Sequence, residues 1–190
     1  MTGGDGGDPA GRLFVAVPLP DEARREVDAR LRAAVQDGLP GRAVPVASWH
    51  LTLRFLGATR VKQLAVLRDH LRSTELGAPI DVRFGGMGAF PHARSARVLW
   101  IGVDEGAARL AELARIAEAA ARAAGFAPEQ KPWKPHLTVA RIQPPRNVAR
   151  LIERVPPLDV RMQVREIVIF RSHLGNGPAR YEAVERFALG

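Results

Sequence analysis

The sequence predicts an α+β fold built from largely antiparallel sheets. Three observations carry this reading. Apolar, β-favouring runs alternate with stretches whose apolar residues recur at helical spacing. Two pairs of adjacent strands look like hairpins, which argues against a doubly wound parallel sheet. Each half of the chain also holds a strand of the form His-x-Thr, preceded by a helix and followed by a helix and a hairpin, so the chain reads as weakly duplicated. Its 190 residues suffice for one substantial domain or two small lobes, and 46% hydrophobic against 25% charged residues is a globular balance.

The elements follow in order. Met1 to Gly11, glycine-rich with Asp5 and Asp8, reads as a disordered tail and has neither the basic start nor the apolar centre of a signal peptide. Arg12 to Pro18 is a buried strand closed by proline. Asp21 caps a helix through about Gln36, with Ala23, Val27 and Leu31 at helical spacing. A connector with a short strand at Ala43–Val46 leads to the strand Trp49–Leu56, stopped by Gly57. Thr59 caps a helix carrying Val61, Leu64, Leu67 and Leu71. Pro79–Phe84 and Ala96–Val103 form a strand pair, and the glycines between Gly85 and Pro91 mark a bulge or a close backbone approach. Asp104 caps an alanine-rich helix to about Ala124, closed by Gly125. His136–Ile142 is the second motif strand, and Pro144-Pro145 opens a short helix through about Arg154. Val160–Phe170 and Arg180–Leu189 are strands joined by a turn at Gly175–Pro178.

Composition excludes several functions. The chain has no cysteine, so disulfides, thiolate metal sites and a cysteine nucleophile are out. No apolar run approaches the roughly 20 residues that cross a membrane. These features fit a cytoplasmic protein. The net charge of +8 comes almost entirely from arginine, the only lysines being Lys62, Lys131 and Lys134. Such a balance suits anionic partners, nucleic acid first, and equally reflects an arginine- and alanine-rich coding bias.

The chemistry sits in His50-Leu51-Thr52-Leu53-Arg54-Phe55 and His136-Leu137-Thr138-Val139-Ala140-Arg141. A strand repeats every two residues, so His50 and Thr52 share one face while Leu51, Leu53 and Phe55 share the other, and His136 and Thr138 share a face in the same way with Leu137 and Val139 behind them. If the two strands are neighbours, two imidazoles and two hydroxyls line one hollow. Two imidazoles can divide the work of base and acid near neutral pH, and two hydroxyls can donate to phosphate oxygens. Strict alternation puts Arg141 on the wrong face to join them, so the strand must end or bulge near Ala140 if Arg141 is to reach the site.

The paired motifs resemble those of the 2H phosphoesterase superfamily, and within it the prokaryotic RNA 2′,3′-cyclic phosphodiesterases, also labelled 2′-5′ RNA ligases. The likeness extends to Arg12-Leu-Phe-Val-Ala-Val-Pro-Leu-Pro, His50 to Gly57, Gly88-Ala-Phe-Pro with Arg97-Val-Leu-Trp-Ile-Gly-Val, Pro135 to Arg141, and Arg171-Ser-His-Leu with Tyr181 and Phe187. It covers about Arg12 to Leu189. The resemblance implies one domain over 12–190 with two lobes related by a pseudo-twofold, each with a mostly antiparallel sheet and flanking helices, and an active-site groove between them. It implies hydrolysis of RNA 2′,3′-cyclic phosphate ends to 2′-phosphomonoesters without metal or cofactor. His50 and His136 would be the catalytic pair, and Thr52, Thr138 and Arg141 would bind phosphate. The superfamily analogy has His136 activate water and His50 protonate the 3′ oxygen, with the swapped assignment beside it. A non-catalytic RNA 3′-end-binding module and 2′-5′ ligation are the alternatives. A monomer without an obligate protein partner or membrane attachment is expected.

Other residues are weighed against plainer roles. Arg54 shares the motif face and could meet phosphate or simply be a solvated charge. Phe90 and Trp133 could stack on a base or pack between lobes. Trp100 fits a core position. His70 and His92 read as surface histidines and His173 as structural. Zinc needs three or four ligands, and neither motif contains a carboxylate.

Overall fold

Described in the computed structural model are residues 8–173 and 179–190. Among them the order is β1 (Pro9–Pro18), α1 (Asp21–Ala34), β2 (Arg42–Ala43), β3 (His50–Arg60), α2 (Val61–Ser73), β4 (Ile80–Phe90), β5 (Ala96–Glu105), α3 (Ala107–Ala123), β6 (His136–Arg146), α4 (Ala149–Arg154), β7 (Val160–Val164), β8 (Glu166–His173) and β9 (Arg180–Ala188). The class is α+β, as the alternation predicts. All strand pairings are antiparallel and follow the path β7-β4-β5-β6-β3-β1-β8-β9, with β2 added to β6.

Two four-stranded halves meet in this path. One is β7-β4-β5-β6 and the other β3-β1-β8-β9, each ending on its motif strand. The expected two sheets are therefore joined into one curled sheet, and the joint is a single residue pair, Leu51 opposite Leu137. Both leucines are fully buried. Burying a leucine contributes about 1.5–3 kcal/mol, so the seam between the halves is anchored in the core. The helices lock the halves together. α1 follows β1 yet packs against β7, and α3 follows β5 yet packs against β3 as well as α2.

Several boundaries depart from the sequence reading, each for a local reason. The tail expected over 1–11 gives way at Pro9, where β1 starts by pairing Pro9 with Arg60 and Gly11 with Thr59; residues 1–7 lie outside those described. Arg171 Nε also donates to Ala10 O at 2.9 Å, so this backbone is held from both sides. Thr59 does not cap α2: its hydroxyl donates to Gly57 O, and the Gln63 side chain instead accepts from Arg60 N–H. Asp104 belongs to β5, and α3 starts after Gly106, where a φ of 83° and the 2.5 Å that would separate an added Cβ from Asp81 O suit only glycine. Pro144-Pro145 extend β6 rather than opening α4. The single strand expected at Val160–Phe170 divides at Arg165, because β7 pairs with β4 while β8 crosses to β1. The turn at Gly175–Pro178 lies outside the described residues, but the strands flanking it pair as expected.

Candidate active site

The hollow is built from the seam outward. Leu51 and Leu137 point into the core, so the residues on either side of them, His50, Thr52, His136 and Thr138, rise together from the opposite face. The flanking strands confirm that face. Ala16 and Pro18 of β1 lie opposite Thr52 and His50, and Trp100 and Gly102 of β5 lie opposite Thr138 and His136. The two couples thus converge. Each threonine is half-buried beneath the groove.

Past each threonine the strand carries one extra residue. Between Thr52 and Arg54, Leu53 has no partner in the β1 ladder, and between Thr138 and Ala140, Val139 has none in the β5 ladder. Such a bulge reverses the alternation beyond it. It brings Arg141 onto the site face, opposite Val98, which is the distortion the sequence requires for Arg141 to reach the site. The same bulge removes Arg54, which pairs with the core residue Val15. Its guanidinium ion-pairs with Glu118 of α3 and donates to the carbonyls of Phe55 and Ala127. Arg54 therefore lines the edge of the groove with its guanidinium already held by Glu118 and two carbonyls, rather than standing as a solvated charge. Phe55 takes the place at the motif face, opposite Phe14, and is 57% exposed. It occupies the position five residues after its histidine that Arg141 occupies after the other. Strict alternation places Phe55 on the buried back with Leu51 and Leu53, and the bulge at Leu53 overturns that expectation by turning Phe55 to the other face; aligning the two motifs residue by residue would have singled it out.

Both imidazoles are oriented by the same device. His50 Nδ1 lies 2.8 Å from Ser48 O, and His136 Nδ1 lies 2.7 Å from Lys134 O. A carbonyl only accepts, so Nδ1 carries the hydrogen and Nε2 keeps its lone pair for the groove. His50 packs against Phe14 at 4.8 Å and edge-on against Tyr181 at 5.1 Å. His136 packs edge-on against Phe90 at 5.0 Å and tilted to Trp100 at 6.3 Å. Burial among these groups pushes the His50 pKa down to about 4; the Ser48 carbonyl opposes the shift, while Arg141, His136 and Arg24 reinforce it by charge. His136 is also lowered, again first by burial, with Lys134 and Arg141 adding to it. Arg141 acts electrostatically on both rings.

Beyond His136 the groove opens into a cavity of about 730 Å³ lined by Thr52, Phe55, Phe90, Arg97, Trp133 and Lys134, among others. Trp133 is half-buried and donates from Nε1 to Thr52 O at 3.0 Å, so it ties the second half to the first while showing a face to the cavity. Phe90 ends β4 and Trp100 lies below it at 5.3 Å, with Lys134 Nζ 4.2 Å over the Trp100 ring. Trp100 is buried, as expected, but on the site face. The other histidines stand apart from this arrangement. His173 pairs with Glu182 across β8 and β9 at 2.8 Å, His92 is exposed after Pro91, and His70 lies half-buried in the last turn of α2. Among the described residues, no three His, Cys, Asp or Glu side chains gather to hold a metal ion, and no helix is long and apolar enough to cross a membrane.

A curled α+β sheet with twin His-x-Thr faces over one groove defines a 2H phosphoesterase. The chain belongs to the 2'-5' RNA ligase superfamily, whose family model matches residues 19–176. It is 34% identical over 187 residues to an RNA 2',3'-cyclic phosphodiesterase of Methanothermobacter thermautotrophicus, covering 94% of this chain and 98% of that one. It is 31% identical over 185 residues to an RNA 2',3'-cyclic phosphodiesterase of Geobacillus stearothermophilus, covering 93% of this chain but only 56% of the longer relative. The crystal structure of Escherichia coli LigT complexed with 3'-AMP superposes with a TM-score of 0.77 at 26% identity, covering 96% of this chain and 99% of that one.

Proposed function

We propose that this protein hydrolyses RNA 2′,3′-cyclic phosphate ends to 2′-phosphomonoesters, with His50 and His136 as acid and base and with Thr52, Thr138 and Arg141 holding the phosphate. The observation that carries the reading is the convergence of two Nδ1-anchored imidazoles, each with a threonine neighbour, over one groove beside Arg141. The reaction needs a water activated on one side of phosphorus and a proton for the departing 3′ oxygen on the other, and two free Nε2 atoms supply both. Threonine hydroxyls and the Arg141 guanidinium stabilise charge that grows on the non-bridging oxygens in the transition state. These steps call on no metal or cofactor. The relatives named as RNA 2',3'-cyclic phosphodiesterases support the substrate class.

The groove has a direction. Phe55, Phe90 and Trp133 form an aromatic end beside His136 and Thr52, suited to stacking a base. Arg141 lies at the other end, past Thr138 and beside His50. In a cyclic phosphate the 2′ oxygen lies on the base side of the ribose and the 3′ oxygen on the other. A base held at the aromatic end turns the 3′ oxygen toward His50 and leaves the water to His136, in agreement with the superfamily analogy. Burial lowers the His50 pKa, and a phosphate anion held against the ring favours its protonated form.

The test is hydrolysis of a 2′,3′-cyclic nucleotide in the presence of EDTA. His50→Ala and His136→Ala should each lower kcat by roughly 10²–10⁴, with unchanged melting and retained binding of the 2′-phosphate product. Undiminished turnover in both variants removes the mechanism, and loss of turnover with EDTA alone removes its metal independence.

A further inference from the structure

The arginines past the His50 end of the groove have no place in the chemistry above. Arg42 on β2 stands directly opposite Arg141 on β6. Both are exposed, and among the described residues neither side chain has a hydrogen-bond or ion-pair partner. Like charges directly opposed across a ladder are destabilising, so this pair is costly unless an anion lies against it. Next to it is a second cavity, of about 520 Å³, walled by the loop 36–41, Leu151, Arg146 and Arg154. The loop is fixed to β6 at Gly41, where an added Cβ would lie 2.4 Å from Arg141 O. Arg146 is exposed and has no described partner, while Arg154 Nε donates only to Arg150 O, at 3.3 Å. Asp37 is the one carboxylate in the cavity wall. Arg141 and Arg146 are five residues apart on one strand. Arg42 on β2 and Arg146 and Arg154 at the second cavity thus continue the cationic surface past Arg141.

We infer that Arg42, Arg146 and Arg154 form a track for the phosphodiester backbone of an RNA strand, so that the preferred substrate is an oligonucleotide rather than a cyclic mononucleotide. The inference rests on the proposed function and adds the path of the strand. The ribose geometry sets that path. The cyclic phosphate spans C2′ and C3′, the base leaves from C1′ beside C2′, and the 5′ chain leaves from C4′ beside C3′. Base and upstream strand therefore depart in opposite directions. A base stacked between Phe55 and Trp133 sends the 5′ phosphate toward Arg141 and Arg42, and the next phosphates toward Arg146 and Arg154. Guanidinium forks suit phosphate oxygens, and exposed backbone contacts of this kind supply affinity without reading sequence.

The test compares two substrates, 2′,3′-cyclic AMP and a single-stranded decaribonucleotide with a 2′,3′-cyclic phosphate end, in the wild type, Arg42→Gln and the double variant Arg146→Gln/Arg154→Gln. In the variants the ratio of kcat/KM for the decamer to that for the mononucleotide should fall at least about five-fold, the effect of losing one or two phosphate contacts. The Kd of the 2′-phosphate decamer product should also lose salt dependence, by roughly 0.7 in logarithmic slope per contact removed from a single strand. A ratio that does not move, or a loss shared equally by both substrates, overturns the inference while leaving the hydrolase intact. A wild type inert on both substrates overturns the proposed function itself.

Discussion

The two halves of the sheet carry the same His-x-Thr device and differ in what surrounds it. Each presents a histidine anchored through Nδ1 to the carbonyl two residues before it, a threonine, and a bulge after the threonine. The fifth residue past the histidine is then Phe55 in one half and Arg141 in the other. In the proposed reaction the shared parts serve the phosphorus, which needs a group on each side. The divergent parts serve the substrate, which is not symmetric, having a base toward one side and a chain toward the other. A duplicated scaffold becomes directional by changing one position on each motif strand.

Breaking the asymmetry should produce the largest effects. Arg141→Ala removes a charged donor from the developing phosphate charge and should lower kcat by roughly 10²–10³, the usual cost of a transition-state donor, with a smaller change in KM. Phe55→Ala removes a stacking face and should raise KM roughly 5- to 100-fold, as expected for one lost base–aromatic contact, with kcat nearly unchanged. Steady-state kinetics on a cyclic nucleotide separates the two. If both variants change the same parameter by the same factor, the halves are not specialised as described.

The imidazoles differ too, and pH exposes the difference. His50 titrates at about 4 against an ordinary value of 6.5, its burial being the main cause. Between those values the unfolded chain binds a proton that the folded chain refuses, so stability is full above pH 6.5 and is lost as pH falls toward 4. At about 1.4 kcal/mol per pH unit the whole interval corresponds to about 3 kcal/mol. Carboxylates titrate in part of the same range, so the measurement is a difference. The melting temperature of His50→Gln should fall less between pH 7 and 4.5 than that of the wild type, and identical slopes would contradict a buried neutral ring. Catalysis adds a second reading of the same group. If bound phosphate restores the His50 proton, the pKa of the acid seen in kcat must lie above the one seen in kcat/KM.

Much of this was legible in the residues. The His-x-Thr pairs, their apolar backs and the helix–strand alternation pointed to the class of fold and to one shared face for His50, Thr52, His136 and Thr138, because a period of two in a half-buried strand leaves little choice of face. Arg141 was legible only as a contradiction, resolved by a bulge at Val139 that no local composition announces. The matching bulge at Leu53 turned Arg54 away and Phe55 inward, so one unseen residue in each ladder misplaced two side chains. The break at Arg165 was equally hidden. Val160 to Phe170 is continuous in β propensity, and only the long-range pairing of β7 with β4 and β8 with β1 divides it. Residues that pair across halves, such as Trp133 with Thr52, are set by the seam and not by their neighbours in sequence.

Beneath the groove the halves exchange volume, and this yields the smallest expected effect. Opposite Thr138 stands Trp100, which faces Gly88 across the next pair of strands. Opposite Thr52 stands Ala16, which faces Val168. Large against small in one half matches small against larger in the other, and the glycine is obligatory where the indole lies, since an added Cβ would fall 2.2 Å from Trp100 Cη2. Gly88→Ala should therefore displace Trp100 and with it the support of His136. Overpacking of this kind costs about 1–3 kcal/mol, measured by denaturant unfolding, and here it should be joined by a loss of kcat. Trp100→Ala alone leaves a void beneath the same ring. The double variant Gly88→Val/Trp100→Ala rebuilds the pair found in the other half, and its destabilisation should be smaller than the sum of those of Gly88→Val alone and Trp100→Ala alone, because neighbours that share one space do not act additively. Strict additivity would mean that Gly88 and Trp100 are not coupled, and that the support of the two motif histidines is less alike than the register implies.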